Sequence, residues 1–291
     1  MKSPVNKQQQ PTVKSVTQIA CAITRHFCRR LCWALYFWGV MDLFVSNDIL
    51  KWKASDFSFY DDESMEWHKC YSYLEHSEKL LSISDSNHFN ADVISNLKKA
   101  IDHRIKHLAK LYKLKALGRI FGLSKTYELL AELKVIRPVM LGKLLDVRNS
   151  LEHQFSEAPP VERCAEYLEF VWYFLKSTDS LAKEVRTDIS LSHPEIEHLW
   201  LTFDISFDSE WSVIVSGWIP GELASEIAQA GTFKITASEW ERGDDKLKAL
   251  EKEPKEPLWK GLSKNDFWIC NASVAKSEFT KSLIRRYFSE Q

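Results

Sequence analysis

No sign of charge dominates this chain. Thirty-nine Lys and Arg stand against forty Asp and Glu, for a formal net charge of −1. Whole-molecule charge therefore points to no partner, and any affinity for nucleic acid has to come from a local patch. No apolar run is long enough to cross a bilayer. The strongest, Leu31 to Val45, covers roughly half to three-quarters of a membrane span and contains Asp42. With Arg25, Arg29 and Arg30 just before it, that run reads as a buried core helix rather than a membrane anchor. A secretory leader is not expected either, because the first sixteen residues are polar and include Gln8-Gln9-Gln10-Pro11. Internal repeats, a Gly-rich phosphate loop and a nucleotidyltransferase signature are all absent from the sequence. The six cysteines (Cys21, Cys28, Cys32, Cys70, Cys164 and Cys270) lack four-ligand zinc spacing, although Cys28 and Cys32 share a helical face near His26. They read as free, buried thiols in a reducing, cytoplasmic setting.

What is present suits a globular protein of one large or two ordinary domains. Hydrophobic residues make up 45% of the chain and charged residues 27%. Eleven Trp and sixteen Phe point to large cores and a hydrophobic oligomer interface, with base-stacking platforms as the sharper alternative.

The periodicity predicts a mainly α chain, an N-terminal helical bundle followed by a smaller α+β domain. A disordered tail is expected over 1–14, the bundle over 15–190 and the α+β domain, of unread role, over 195–291. Helices are expected at 16–46, 63–83, 90–116, 124–133, 137–153 and 160–186. Breakers separate them: the polar stretch 82–90, Gly118 and Gly122 flanking a turn, and Pro159-Pro160. The period changes near residue 195. Leu199, Leu201, Phe203, Ile205 and Phe207 alternate with polar neighbours, which predicts a half-buried strand. Residues 211–218 are expected as its hairpin partner. A short helix at 221–230, a strand at 232–238, a charged loop with some helix at 241–257, a strand at 266–274 and a helix at 276–289 complete the reading. The two parts are expected to join near 190–194.

The most specific chemical offer is Asp146-Val147-Arg148-Asn149-Ser150-Leu151-Glu152-His153. Arginine and histidine with four to six residues between them is a short pattern that chance alone supplies about once in this composition. Arg186 and His193 satisfy it too, with nothing supporting them. Arg148 differs by its neighbours. Met140, Leu144, Val147 and Leu151 form an apolar stripe, and at about 100° per residue Arg148 falls near its centre. A charge aimed there is costly unless it is paired or meets an interface or ligand. The plainer alternative stays open: Glu152 is four residues on and can bridge Arg148, and Asn149 can bond His153.

These residues resemble the signature of the HEPN superfamily, helical-bundle domains of toxins, abortive-infection proteins and CRISPR effectors, over about residues 60–187. The resemblance implies a metal-independent endoribonuclease that works as a homodimer, with Arg148, Asn149 and His153 of both copies meeting in one cleft. In members paired with a nucleotidyltransferase antitoxin, a Tyr often follows the His by two places. Here that place holds Phe155, which argues against control by adenylylation.

RNA brings its own nucleophile, the 2′-hydroxyl. His153 can move its proton, Arg148 can clamp the phosphate, and Asn149 can orient either. On a regular helix Arg148 and His153 stand about 140° apart, so either the helix frays at Glu152 or a second chain completes the pair. A basic face at Lys99, His103, Lys106, Lys110 and Lys113, with Lys98, Arg104, Lys115 and Arg119 nearby, is a candidate phosphate track or a plain solvated face. The matching buried face is Leu97, Ile101, Ile105, Leu108 and Leu111. His103 and His107 make at most half a metal site, and Asp204, Ser206 and Asp208 read as a solvent face before a cation site. The expected partners are RNA, a second copy of the chain and a separate antitoxin or sensor protein, with no membrane, metal or cofactor. The alternative is a non-catalytic dimerisation or RNA-binding module, or a helical scaffold.

Overall fold

The strands expected near the C-terminus are borne out, although Thr202, expected on the polar face of the first, is buried. The computed structural model describes residues 39–55, 57–83, 87–153, 157–196, 199–207, 210–250 and 262–289, with backbone alone at 87–88, 140, 152–153 and 247–250. Strands β6 (Trp200–Ser206) and β7 (Ser212–Ile219) pair antiparallel, with Phe203 opposite Val215 and Ile205 opposite Val213. The expected strands near 232 and 266 are β9 (Thr232–Arg242) and β10 (Phe267–Val274), and the terminal helix runs Glu278–Ser289.

The sheet they build overturns the mainly α expectation. Eight strands with only antiparallel neighbours run in the order β2 (Lys53–Ala54), β5 (Asp188–Ser192), β6, β7, β10, β9, β1 (Met41–Ser46), β8 (Ala224–Ser225). A second, two-stranded sheet pairs β3 (Phe59–Asp61) with β4 (Glu184–Arg186). Residues 41–46, expected as the end of a helix, are therefore a strand. Leu43 and Val45 are buried opposite Ile235 and Phe233. Asp42 points the other way, accepting from Thr236 Oγ1 at 2.7 Å and pairing with Lys234 at 2.6 Å. The Lys234 ammonium, then Thr236, hold its carboxyl below the usual range. A charge inside an apolar run is thus the outward residue of a period of two. The expected junction near 190–194 is largely β5, buried beside β6. The helix expected at 221–230 reduces to one 3-10 turn, Gly221–Leu223, and β8. The tail at 1–14, the helix expected from 16, and Cys21, Cys28 and Cys32 lie outside the described residues.

Helices α1 (Lys69–Ile83), α2 (Asn87–Leu111), α3 (Leu114–Phe121), α4 (Thr126–Glu132), α5 (Pro138–His153), α6 (Val161–Ser177) and α7 (Asp179–Lys183) fill residues 69–183. Two more, α8 (Gly243–Leu250) and α9 (Glu278–Ser289), belong to the C-terminal third. The single helix expected at 90–116 breaks at Lys113, whose φ is 47°. Gly118 is not a turn residue: it is buried in α3, where a Cβ would meet Leu123 O at 2.5 Å. The helix expected at 160–186 stops at Ser177, and its last three residues become β4.

α2 is the helix on which α1, α3, α5, α6 and α7 pack. At its centre Arg104, expected on the basic surface, is fully buried. One guanidinium nitrogen donates to Leu175 O (3.1 Å) and Thr178 Oγ1 (3.0 Å). The other donates to Trp67 O (3.2 Å) and to Asp179 Oδ1 (2.8 Å), whose second oxygen accepts from Tyr71 OH at 2.8 Å. Burial first, and then that carboxylate, push the Tyr71 hydroxyl far above its ordinary pKa. His107 also faces inward, its Nε2 3.2 Å from Ala182 O and 3.3 Å from Asp62 Oδ2.

Aromatic rings join the helices to the sheet. Trp211 Nε1 donates to Tyr112 O at 2.7 Å, and Tyr112 OH donates to Leu181 O at 2.9 Å. Tyr112 meets Phe288 edge-on at 5.2 Å, and Phe279 of α9 stacks on Phe233 at 3.5 Å.

Two stability tests follow from these contacts. Gly217 lies in β7 at φ 126°, where a Cβ would meet Trp200 O at 2.3 Å. Gly217→Ala is expected to cost at least about 2 kcal/mol in a urea titration. Asp179→Ala strands a buried cation and should cost about 3–5 kcal/mol, with Arg104→Met combined with Asp179→Leu costing less than Asp179→Ala alone. A double variant no more stable than Asp179→Ala would remove the ion pair as the reason.

Candidate functional site

The candidate motif occupies the C-terminal half of α5. Pro138 opens that helix at its first position, where a missing N–H costs nothing. Leu141 and Leu144 are buried, and Leu145, Val147 and Leu151 are half-buried, along the helix that contacts α2 and α4. Arg148 is half-buried rather than pointed fully inward, and Asn149 is exposed. Arg148 Nη1 donates to Asn149 Oδ1 at 3.3 Å, and Arg148 has further interactions besides. The structure thus brings Arg148 and Asn149 together at a helix surface. The backbone stays helical through His153, so fraying at Glu152 does not occur. Five helical steps then separate Arg148 from His153 by about 140° and roughly 7.5 Å along the axis. The side chains of Glu152 and His153, and Phe155 and Asp208, lie outside the described residues. The alternative pairings of Arg148 with Glu152 and of Asn149 with His153 therefore do as well.

The basic face of α2 survives in part. Lys99, Lys106 and Lys110 are exposed on it, and Lys113 is exposed where the helix breaks. His103 is half-buried, 6.5 Å from the Tyr73 ring, with its buried Nδ1 making no hydrogen bond among the described residues. Desolvation pushes its pKa below the ordinary value, so at neutral pH it contributes a ring rather than a charge. Lys98 is half-buried against Asp102, and Arg104 belongs to the core. The expected buried face holds for Leu97, Ile101 and Leu108, whereas Ile105 and Leu111 are half-buried. The missed signal is their spacing: Arg104 stands three residues after Ile101 and four before Leu108, on the apolar stripe.

The remaining candidates resolve into structural uses. Arg186 lies over the Phe57 ring at 3.9 Å, and His193 Nδ1 accepts the backbone N–H groups of Glu195 and Ile196. Asp204 is half-buried on β6, in register with Asp188 of β5. Among the described residues no group of three His, Cys, Asp or Glu could hold a metal ion, and no helix is long and apolar enough to cross a membrane. Cys70 and Cys164 are buried free thiols, and burial pushes Cys164 to about 11. With this geometry in place, comparison with known proteins adds no relative: no family model, curated protein or solved structure matches the chain.

The exposed lysines of α2 allow a direct test of the phosphate track. Each phosphate contact adds about 0.7 to the salt dependence of single-strand binding. Lys106→Glu combined with Lys110→Glu should therefore lower the slope of log K against log salt by about 1.4, measured with an RNA oligonucleotide. An unchanged slope would make this a plain solvated face.

Proposed function

We propose that the chain is a metal-independent endoribonuclease of HEPN type, working as a homodimer in a toxin or defence setting. The observation that carries this reading is the regular helix through His153 with Arg148 and Asn149 hydrogen-bonded on its surface. An arginine next to an exposed amide is suited to hold two oxygens of one phosphate. The helix keeps each Arg148 away from its own His153, which favours a pair completed by a second copy across a two-fold axis.

In this reading His153 removes the proton of the ribose 2′-hydroxyl, and the 2′ oxygen attacks the adjacent phosphorus. Arg148 balances the charge that builds on the non-bridging oxygens. The 5′ oxygen leaves with a proton from an imidazolium, giving a 2′,3′-cyclic phosphate and a 5′-hydroxyl end. Because the nucleophile is part of the substrate, the step needs no metal-activated water. Lys99, Lys106, Lys110 and Lys113 supply the electrostatic attraction for the RNA backbone. His103 supplies a neutral ring beside them.

Purified protein should cleave RNA in EDTA, and Arg148→Ala and His153→Ala should each lower the rate by at least about a hundredfold. Sedimentation should find a dimer in the active preparation. Full activity in either variant defeats the proposal. RNA binding without cleavage by the wild type would favour the non-catalytic module.

A further inference from the structure

A second feature, separate from the α5 motif, is a cleft of about 510 Å³ between α3 and α4. That volume falls in the range of roughly 300–1,000 Å³ usual for small-molecule sites. Its base is apolar, formed by Leu114, Leu123 and Leu129. Its turn is fixed: Leu123 N–H donates to Gly118 O at 2.8 Å and Gly122 N–H to Arg119 O at 3.4 Å. Those amides are therefore spent within the chain. Gly122 (φ 70°) has nothing within 4 Å of where a Cβ would stand, so no side chain obstructs the cleft there.

The charge around this cleft is one-sided. Lys115, Arg119 and Lys125 line it, together with Ser124 and Thr126, and among the described residues no carboxylate does. Lys125 is already shared, 3.2 Å from Glu128 and 5.7 Å from the Tyr127 ring centroid. Lys115 and Arg119 are exposed and form no ion pair among the described residues. Glu210, whose carboxyl is held below its usual range by Lys276 first and then by Arg119, is bound to Lys276 at 2.9 Å.

We propose that this cleft binds a phosphate monoester carried on a flat or apolar group, with a nucleotide as the simplest such ligand. Arg119 and Lys115 hold the phosphate, and the leucine base receives the attached group. Two unpaired cations match a phosphate monoester, which carries about −1.5 to −2 at neutral pH, better than a single carboxylate. The guanidinium fork suits two phosphate oxygens at once. Free nucleotide and the phosphorylated end of an RNA share this chemistry.

Calorimetric titration of the full chain tests it with AMP and adenosine, and titration of the full chain carrying Arg148→Ala tests it with a pair of RNA oligonucleotides that differ only in a 5′-phosphate. AMP should bind at least about tenfold more tightly than adenosine. Lys115→Gln combined with Arg119→Gln should weaken AMP by at least about tenfold with an unchanged circular dichroism spectrum, since both side chains are exposed. Arg148→Ala should bind AMP like the wild type, so this proposal can fail or stand apart from the ribonuclease reading. A preference for the 5′-phosphorylated oligonucleotide that the double variant loses assigns an RNA end. Binding of AMP without that preference assigns a free nucleotide. Equal binding of AMP and adenosine, or an unaffected double variant, overturns the proposal.

Discussion

The helical layer depends on a cation that water cannot reach. Arg104 is fully buried at the centre of α2, and its partners come from the turn before α1, from the end of α6 and from the start of α7. Taking a guanidinium out of water costs several kcal/mol unless its donors are met. Its two terminal nitrogens are met only when Trp67, Leu175, Thr178 and Asp179 arrive together, while Nε has no partner among the described residues. The arrangement of α1, α6 and α7 around α2 is thus fixed by hydrogen-bond geometry as well as by apolar contact. Tyr71 completes it by occupying the second oxygen of Asp179. Thr178 has the further task of separating α6 from α7, which lets the chain turn and enter β4.

That turn links the helices to the sheet. β4 leads directly into β5, and β5 pairs with both β2 and β6. Tyr112 holds the other end of the junction. Its carbonyl accepts from Trp211 and its hydroxyl donates to Leu181, so one residue at the α2–α3 break touches both the strand region and α7. The left-handed backbone at Lys113 follows from this placement. In a straight helix through 112–116 the Tyr112 carbonyl would accept from the Ala116 N–H, which here donates to Lys113 O at 2.8 Å and leaves Tyr112 O to Trp211.

Much of the C-terminal region was legible because its strands alternate over six or more residues, as β6 and β9 do. The N-terminal strands were not. β1 ends an apolar run that masks its alternation, and β2 has two residues. Short edge strands are defined by the partners they meet, and those partners lie more than a hundred residues away in sequence. β5 was missed although Ile189 and Leu191 alternate with Asp188, Ser190 and Ser192, because it has only five residues and follows closely on a helical stretch. Arg104 was misread because charge was given priority over position on the helix. Arg148 shows the reverse: its place on an apolar stripe overstated its burial, since the stripe of α5 is itself only half covered.

A near-zero net charge conceals how the charges are sorted. Arg104 and His107 turn inward to satisfy the core, while Lys99, Lys106, Lys110 and Lys113 stay in water along α2. Across the break at Lys113 the exposed cations continue with Lys115 and Arg119 on α3 and Lys125 before α4. The exposed side of α6 instead carries Glu162, Glu166 and Glu169. Over a Debye length of about 8 Å, only charges in the same neighbourhood add. An anionic ligand therefore meets the local field of α2 and α3 rather than the neutral average of the chain. The ribonuclease reading and the proposed phosphate cleft both draw on that local excess. They use different residues of it, so each can be removed without removing the other.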